Sequence, residues 1–356
     1  MPLKLPSFKK KVLSIDFGGD EVKIVEGQVL NKSININKAF TVELPRNVYR
    51  DGEILEENTL TKLIKDSLKE NKVRTELAHG VVNSSKIITR NIALPKVPEK
   101  DIPSLIEYQL DELLPVNPDD FVIGHLIIGN KIEDEVEKMD ILLVGIPRKM
   151  VLDHLDLMKS IGLKPVVLDH QGNSMAKLLD FNSYINDFYN TRDMTIASID
   201  LGYYKSKLSI IKNGKVLVTR VLDTGANTII DSLESIFDYT LEERKEKLFQ
   251  IEDISHDSDE YTYYSRLVNV ARTVIENLLE ELGMIFRFYT TRERGNTINY
   301  IVLQGSLSNI NGMENLFSNY FNIPAIKLQN LDNVKISQDI SIFSNAVGGL
   351  IRIAEV

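Results

Sequence analysis

The sequence predicts a mixed α/β chain of two related lobes, with a small α+β block inserted in the first. Three observations carry this expectation. A strand–turn–strand unit occurs twice, an apolar strand late in the chain ends at a glycine, and short strands and helices alternate between residues 86 and 165.

The repeat is the most informative feature. Residues 12–27 read VLSIDFGGDEVKIVEG and residues 196–214 read IASIDLGYYKSKLSIIKNG. Ser14-Ile15-Asp16-Phe17-Gly18 matches Ser198-Ile199-Asp200-Leu201-Gly202 at an offset of 184 residues (from 14 to 198), which also carries Lys23 onto Lys207. Each copy is an apolar strand, a tight Asp-x-Gly turn and a second apolar strand, the signature of a hairpin. Glycine lets backbone N–H groups approach an anion with no Cβ in the way. An aspartate at a strand end can hold a Mg²⁺-bound water. The same residues dominate ordinary turns, where Asp caps its own loop, so one copy says little and the matched pair says more.

The remaining elements follow in order. Residues 58–71 put Leu60, Leu63, Ile64 and Leu68 on one helical face, and residues 77–83 read as a strand. Residues 86–94 form another strand, broken by Pro95-x-x-Pro98. Asp101 caps a helix with Pro103 in its first turn, which runs to Leu114 and stops at Pro115. Residues 121–128 and 139–146 are apolar strands joined by an acidic turn. A helix over 148–161 ends at Gly162, and residues 166–168 form a strand. The order β-α-β-β-α-β over 86–165 fits a ferredoxin-like insert, although its last strand could belong to the main lobe. Residues 171–179 are a connecting helix. The second lobe opens near Met194, and Gly225 leads into a helix over 226–237. Residues 241–259 are a solvated, charged stretch. A long helix over 263–290 faces inward through Leu267, Val274, Leu278, Leu282 and Ile285. The strand YIVLQG ends at Gly305, and residues 345–354 form a closing helix. The expected divisions are a first lobe over 1–180, a second over 194–340 and a closing segment over 341–356 that returns to the first.

Composition narrows the function. With no cysteine, disulfides and thiolate chemistry are excluded, and the five scattered histidines lack metal-ligand spacing. A net charge of −9 argues against nucleic acid as a partner. The basic start MPLKLPSFKKK reads as a solvated tail rather than a signal peptide. No apolar run approaches the length of a membrane span, so a cytoplasmic protein is expected.

Paired Asp-x-Gly hairpins followed by a late strand ending in Gly resemble the actin-like ATPase superfamily, a two-lobed fold of ribonuclease-H-like repeats. Within it the chain is similar to the PilM family of type IV pilus assembly proteins over nearly its full length. The residues that carry this are VLSIDFGGDEVKIVEG, LPKVPEKDIPSLIEYQLDELLP, MDILLVGIPRKMVLDHLDLMKSIGLKPVVLD and RVLDTGANTI. The resemblance implies ATP gripped from both lobes, with Asp16 and Asp200 serving Mg²⁺ through water. It implies that Gly18, Gly19, Gly202 and Gly225 attend the phosphates, that Lys23 neutralises charge, and that Gly305 and Ser306 lie against the base or ribose. It further implies a scaffold, peripheral to the inner membrane, that holds the cytoplasmic tail of a PilN-like protein beside the inserted subdomain. Ile88, Arg90, Leu110 and Leu114 are the expected groove residues, by position only. Core packing is the preferred reading for both leucines.

The chain departs from the family pattern at Asp20 and Glu21 in the first turn, at Tyr203 and Tyr204 in the second, and at Ser306 after Gly305. A carboxylate near a triphosphate is repelled unless Mg²⁺ or Lys23 offsets it, so binding with at most weak ATPase activity is expected. Two alternatives stay open. One is a small-molecule kinase of the same superfamily using Asp169 and Gln171 at the lobe junction. The other is a membrane-associated filament protein like FtsA, which needs a C-terminal amphipathic helix beyond the closing helix.

Overall fold

A computed structural model of the chain describes residues 10–113, 117–133, 136–256 and 262–352. Most of the basic start, Leu114 and the last four residues lie outside that range. The chain divides into two compact units. The first comprises residues up to Asn83, His154–Thr191 and Gln329 onward; the second comprises Ser84–Asp153 and Arg192–Leu328.

The first unit is built on a six-stranded sheet. Its order is Lys164–His170, Leu77–Val82, Val12–Phe17, Glu21–Val29, Ile34–Glu43 and Val334–Lys335. Val12–Phe17 sits centrally and every residue after Val12 is buried, as expected of a strand covered on both faces. The helix Glu57–Glu70 buries Leu60, Ile64 and Leu68, with Leu63 half-buried at the edge of the predicted stripe. The strand Lys164–His170 pairs in parallel with Leu77–Val82. The last strand of the anticipated ferredoxin-like order therefore belongs to this sheet and not to the insert.

The closing helix is Ile340–Gly349, five residues earlier than anticipated. Asp339 starts it, its side chain accepting from the Ser341 N–H at 2.9 Å. Gly348 and Gly349, expected mid-helix, are its final turn. There they let the helix meet its neighbours at backbone distance. A Cβ at 348 would lie 2.2 Å from the Ser174 carbonyl oxygen, and one at 349 would lie 2.4 Å from Ser14 Oγ. Lys177, on the connecting helix Gln171–Phe181, forms a buried ion pair with Asp169 at 2.7 Å. It also donates to the Ile351 carbonyl at 2.6 Å.

The second unit contains a five-stranded sheet ordered Lys215–Leu222, Ser206–Lys212, Thr195–Leu201, Tyr300–Gln304 and Ala325–Lys327. The long helix Tyr263–Arg292 packs on it, burying Leu267, Leu278 and Leu282 together with Ala271, Ile275 and Phe286; Val274 and Ile285 are only partly buried. The charged stretch includes a helix, Leu241–Phe249, opened by a capping box between Thr240 and Glu243.

The insert is a three-stranded antiparallel sheet ordered Ile88–Pro95, Val136–Pro147 and Phe121–Glu133, covered by the helix Ile102–Leu113. Ile102 and Ile106 from the helix meet Ile92, Leu94, Ile141 and Leu143 from the sheet in a core of their own. Asn91 Nδ2 donates to the Leu217 carbonyl at 3.2 Å and Lys215 Nζ to that of Ile128, which ties the insert to the edge strand Lys215–Leu222.

Candidate functional site

The two Asp-x-Gly hairpins share one register. Asp16 lies opposite Lys23 in the first and Asp200 opposite Lys207 in the second. In the first turn Asp16 is 2% exposed and accepts from Gln171 Nε2 at 2.7 Å. Its charge, added to burial, keeps the Tyr49 hydroxyl well above its usual pKa, and that hydroxyl pairs with His154 Nε2 at 2.9 Å. Gly18 is required by crowding, since a Cβ there would lie 2.5 Å from the Glu21 carbonyl oxygen. Gly19 occupies the bend beside it. The Lys23 ammonium stands 3.7 Å from that same Cβ position and pairs with the Glu21 carboxylate at 3.1 Å. Asp20 is pushed up to about 6, by burial first and then by Glu21, against the opposing pull of Lys23.

The second turn carries the opposite charge balance. Lys207 stands 3.5 Å from Asp200, and Lys205 pairs with Asp223 at 2.9 Å. A Cβ at Gly202 would be 2.8 Å from the Lys205 carbonyl oxygen. Tyr203 packs its ring against the unit's core under the Lys245 ammonium, 5.7 Å from the ring centroid. That placement directs Tyr203 into the protein. Gly225 buttresses this turn: a Cβ there would be 2.4 Å from the Tyr203 carbonyl oxygen. The first N–H groups of its helix donate to Gly202 at 3.1 Å and Tyr203 at 2.8 Å. Gly305, at φ 85°, comes so close that a Cβ would lie 2.5 Å from Asp200 Oδ1. Ser306 opens the short turn that follows. Asp200, Gly202, Gly225 and Gly305 therefore gather at one place in the second unit, and Asp16, Gly18, Gly19 and Lys23 at one place in the first. Backbone-lined turns with an adjacent lysine suit a phosphate. In both turns the lysines are ion-paired, Lys23 with Glu21, Lys205 with Asp223 and Lys207 with Asp200.

Asp169 does not have the setting of a kinase base. Burial would raise its pKa, but the Lys177 ammonium, His170 and the Asn173 amide together hold it lowered. It is an ion-paired anchor for Lys177.

The insert carries a groove of about 610 Å³ lined by Pro103, Ile106 and Leu110 of its helix and by Phe121, Ile123 and His125 of its strand, with Arg148 at the rim. Burial lowers the His125 pKa, which keeps the imidazole neutral. Of the anticipated groove residues, Leu110 lines it and Leu114 is outside the described range. Ile88 and Arg90 sit on the strand at the far edge of the sheet, paired with Gly145 and Leu143. Arg90 instead donates to the Leu113 carbonyl at 2.5 Å, closing the helix C-terminus.

The family model for type IV pilus assembly protein PilM matches residues 14–343. The chain belongs to the PilM family. Among solved structures, the PilM-family chain of a "PilM-PilN type IV pilus biogenesis complex" shares 20% identity and a TM-score of 0.78, over 96% of this chain and 98% of that one. The ethanolamine utilization protein EutJ from Carboxydothermus hydrogenoformans shares 12% identity and a TM-score of 0.58, covering 97% and 91%. MreB5 of Spiroplasma citri bound to ADP shares 13% and 0.55, covering 95% and 94%. This PilM-family chain thus has the actin-like fold. Among its described residues, no helix is long and apolar enough to cross a membrane.

Sequence reasoning paired Lys207 with Lys23 without giving it a role, and missed Lys205 and the groove residues on Phe121–Glu133. The offset of 184 was the available signal for the lysines, since it sets Lys205 against Glu21 as well as Lys207 against Lys23.

Proposed function

We propose that this chain is a nucleotide-binding scaffold of type IV pilus assembly that holds the N-terminal tail of a PilN-like inner-membrane protein in the groove of its insert. One observation carries the reading: an end-to-end fold likeness to the PilM of a PilM–PilN complex, in a chain whose insert offers a groove bordered by an open strand edge. Phe121–Glu133 is the outer strand of its sheet, so an extended tail could add to it by backbone hydrogen bonds while apolar side chains fill the groove. Through such a partner the protein would be peripheral to the inner membrane.

ATP with Mg²⁺ is the ligand the two turns would take. Gly18, Gly19 and Gly202 would present N–H groups to phosphate, and Lys23, Lys205 and Lys207 would supply positive charge. Asp16 and Asp200 would reach Mg²⁺ through water, which suits a chain whose described residues hold no cluster of three or more metal-ligating groups. Bound nucleotide would supply multivalent negative charge that orders both turns. Support for this comes from the turn geometry and the family's fold. Binding, not turnover, is the main work in this reading.

The test is titration of a PilN-like N-terminal peptide into the wild type and into Leu110→Asp. A charge placed in the groove should weaken binding at least tenfold, measured below the variant's own melting temperature because Leu110 also packs against the insert's core. Equal affinity for both proteins would remove the groove from the function.

A further inference from the structure

The two hairpins superpose in register but not in charge. The position matched to Glu21 in the second turn is Lys205, and both follow their aspartate by five residues. Glu21 and Lys23 are two apart on one strand, so their side chains leave the same face. Their ion pair at 3.1 Å is mostly enclosed, with side-chain exposures of 19% and 16%. The ammonium lies over Gly18, the point in the turn where the backbone is bare. A carboxylate therefore already sits where a phosphate oxygen would engage this lysine. At the second turn Lys205 instead pairs with Asp223, which is 89% exposed on its side chain. An exposed pair of that kind is weak and readily exchanged.

We propose that Glu21 is an internal competitor for nucleotide phosphate, an acidic plug that neutralises Lys23 and sets the affinity of the first turn. Glu21 must leave Lys23 before phosphate can take it. This rests on the nucleotide reading given above. The plug weakens binding in two ways: it withholds a cation, and it adds a negative charge that phosphate must approach at short range. Asp20, beside the same lysine, adds to the second effect.

The experiment is calorimetric titration of ATP–Mg²⁺ into the wild type, Glu21→Gln, Lys23→Met and the double variant, with thermal melts to confirm folding. Glu21→Gln keeps the size of the side chain and removes its charge. It should bind at least fivefold more tightly than the wild type. If the plug acts through Lys23, the gain from Glu21→Gln should shrink to under twofold in the Lys23→Met background, a coupling that a double-mutant cycle reads directly. Binding by the wild type with no gain in Glu21→Gln overturns the plug and leaves nucleotide binding standing. A gain undiminished by Lys23→Met also overturns it, since Glu21 would then act by repulsion alone. No binding by any folded variant at millimolar nucleotide overturns the nucleotide reading and the plug with it. Binding by Glu21→Gln where the wild type shows none supports both.

Discussion

Asp20 shows how one side chain can make the first turn sensitive to pH. Its pKa in the fold is about 6 against an ordinary value of 3.8, raised mainly by burial. The folded state thus holds this proton more tightly than the unfolded chain does. The contribution of Asp20 to stability is full below about pH 4, falls as pH rises to 6, and is flat above. Asp20→Asn removes that fall. In urea denaturation the variant should therefore gain on the wild type between pH 4.5 and 7.5, by about 1–2 kcal/mol allowing for partial solvent screening. A gap that stays constant with pH would mean Asp20 titrates normally. Residue identity alone could flag Asp20 as out of place beside a phosphate. The Glu21–Lys23 pair was within reach of the hairpin reading, which puts both residues on one strand, two apart and on the same face.

At the scale of the element, the closing helix illustrates how a small polar anchor and two glycines can dock a structure. Lys177 joins Asp169 to the Ile351 carbonyl, and all three groups are buried. Removing one partner from a buried ion pair leaves the other charge uncompensated. Lys177→Met should cost about 3–5 kcal/mol, read by chemical denaturation. Asp169→Asn with Lys177→Met should recover part of that loss, since neither charge then remains. Elements with strong periodicity, such as Glu57–Glu70 and the long helix Tyr263–Arg292, were legible from their apolar spacing. The closing helix was misplaced because its glycine pair reads as helix interior when only composition is seen. The close approach to Ser14 and Ser174 that requires glycine there is a tertiary fact. Lys164–His170 was ambiguous for a related reason: a short apolar strand does not announce which sheet it joins.

For the whole molecule, the repeat at an offset of 184 made two related halves readable, and the fold follows it down to the pairing of Asp16 with Lys23 and of Asp200 with Lys207. The groove of the insert was less legible, because it arises from the spacing of a helix and a strand that are not continuous in sequence. In the proposed reading, nucleotide and peptide are held by separate residues. The double variant Asp16→Ala with Asp200→Ala should lose ATP–Mg²⁺ binding by calorimetry and still bind the PilN-like peptide. Should either ligand alter the affinity of the other in the wild type, both affinities must shift by the same factor.

The assignment of the last residues to the first unit has a consequence for synthesis. The strand Val334–Lys335 lies beside Ile34–Glu43, and the closing helix covers Ser14, so the earliest strands of the chain are completed by its final ones. Arg192–Leu328, by contrast, is synthesised ahead of those residues. On the ribosome the second unit's main sheet is free to form first, while the strand bearing Asp16 waits with its glycine-facing surface bare. Domains that fold in order of emergence are shielded early; here the first-made strands are the last to be sheltered. A chain cut short at Gln329 would keep every residue of the second unit and strip from the first its edge strand Val334–Lys335 and its closing helix.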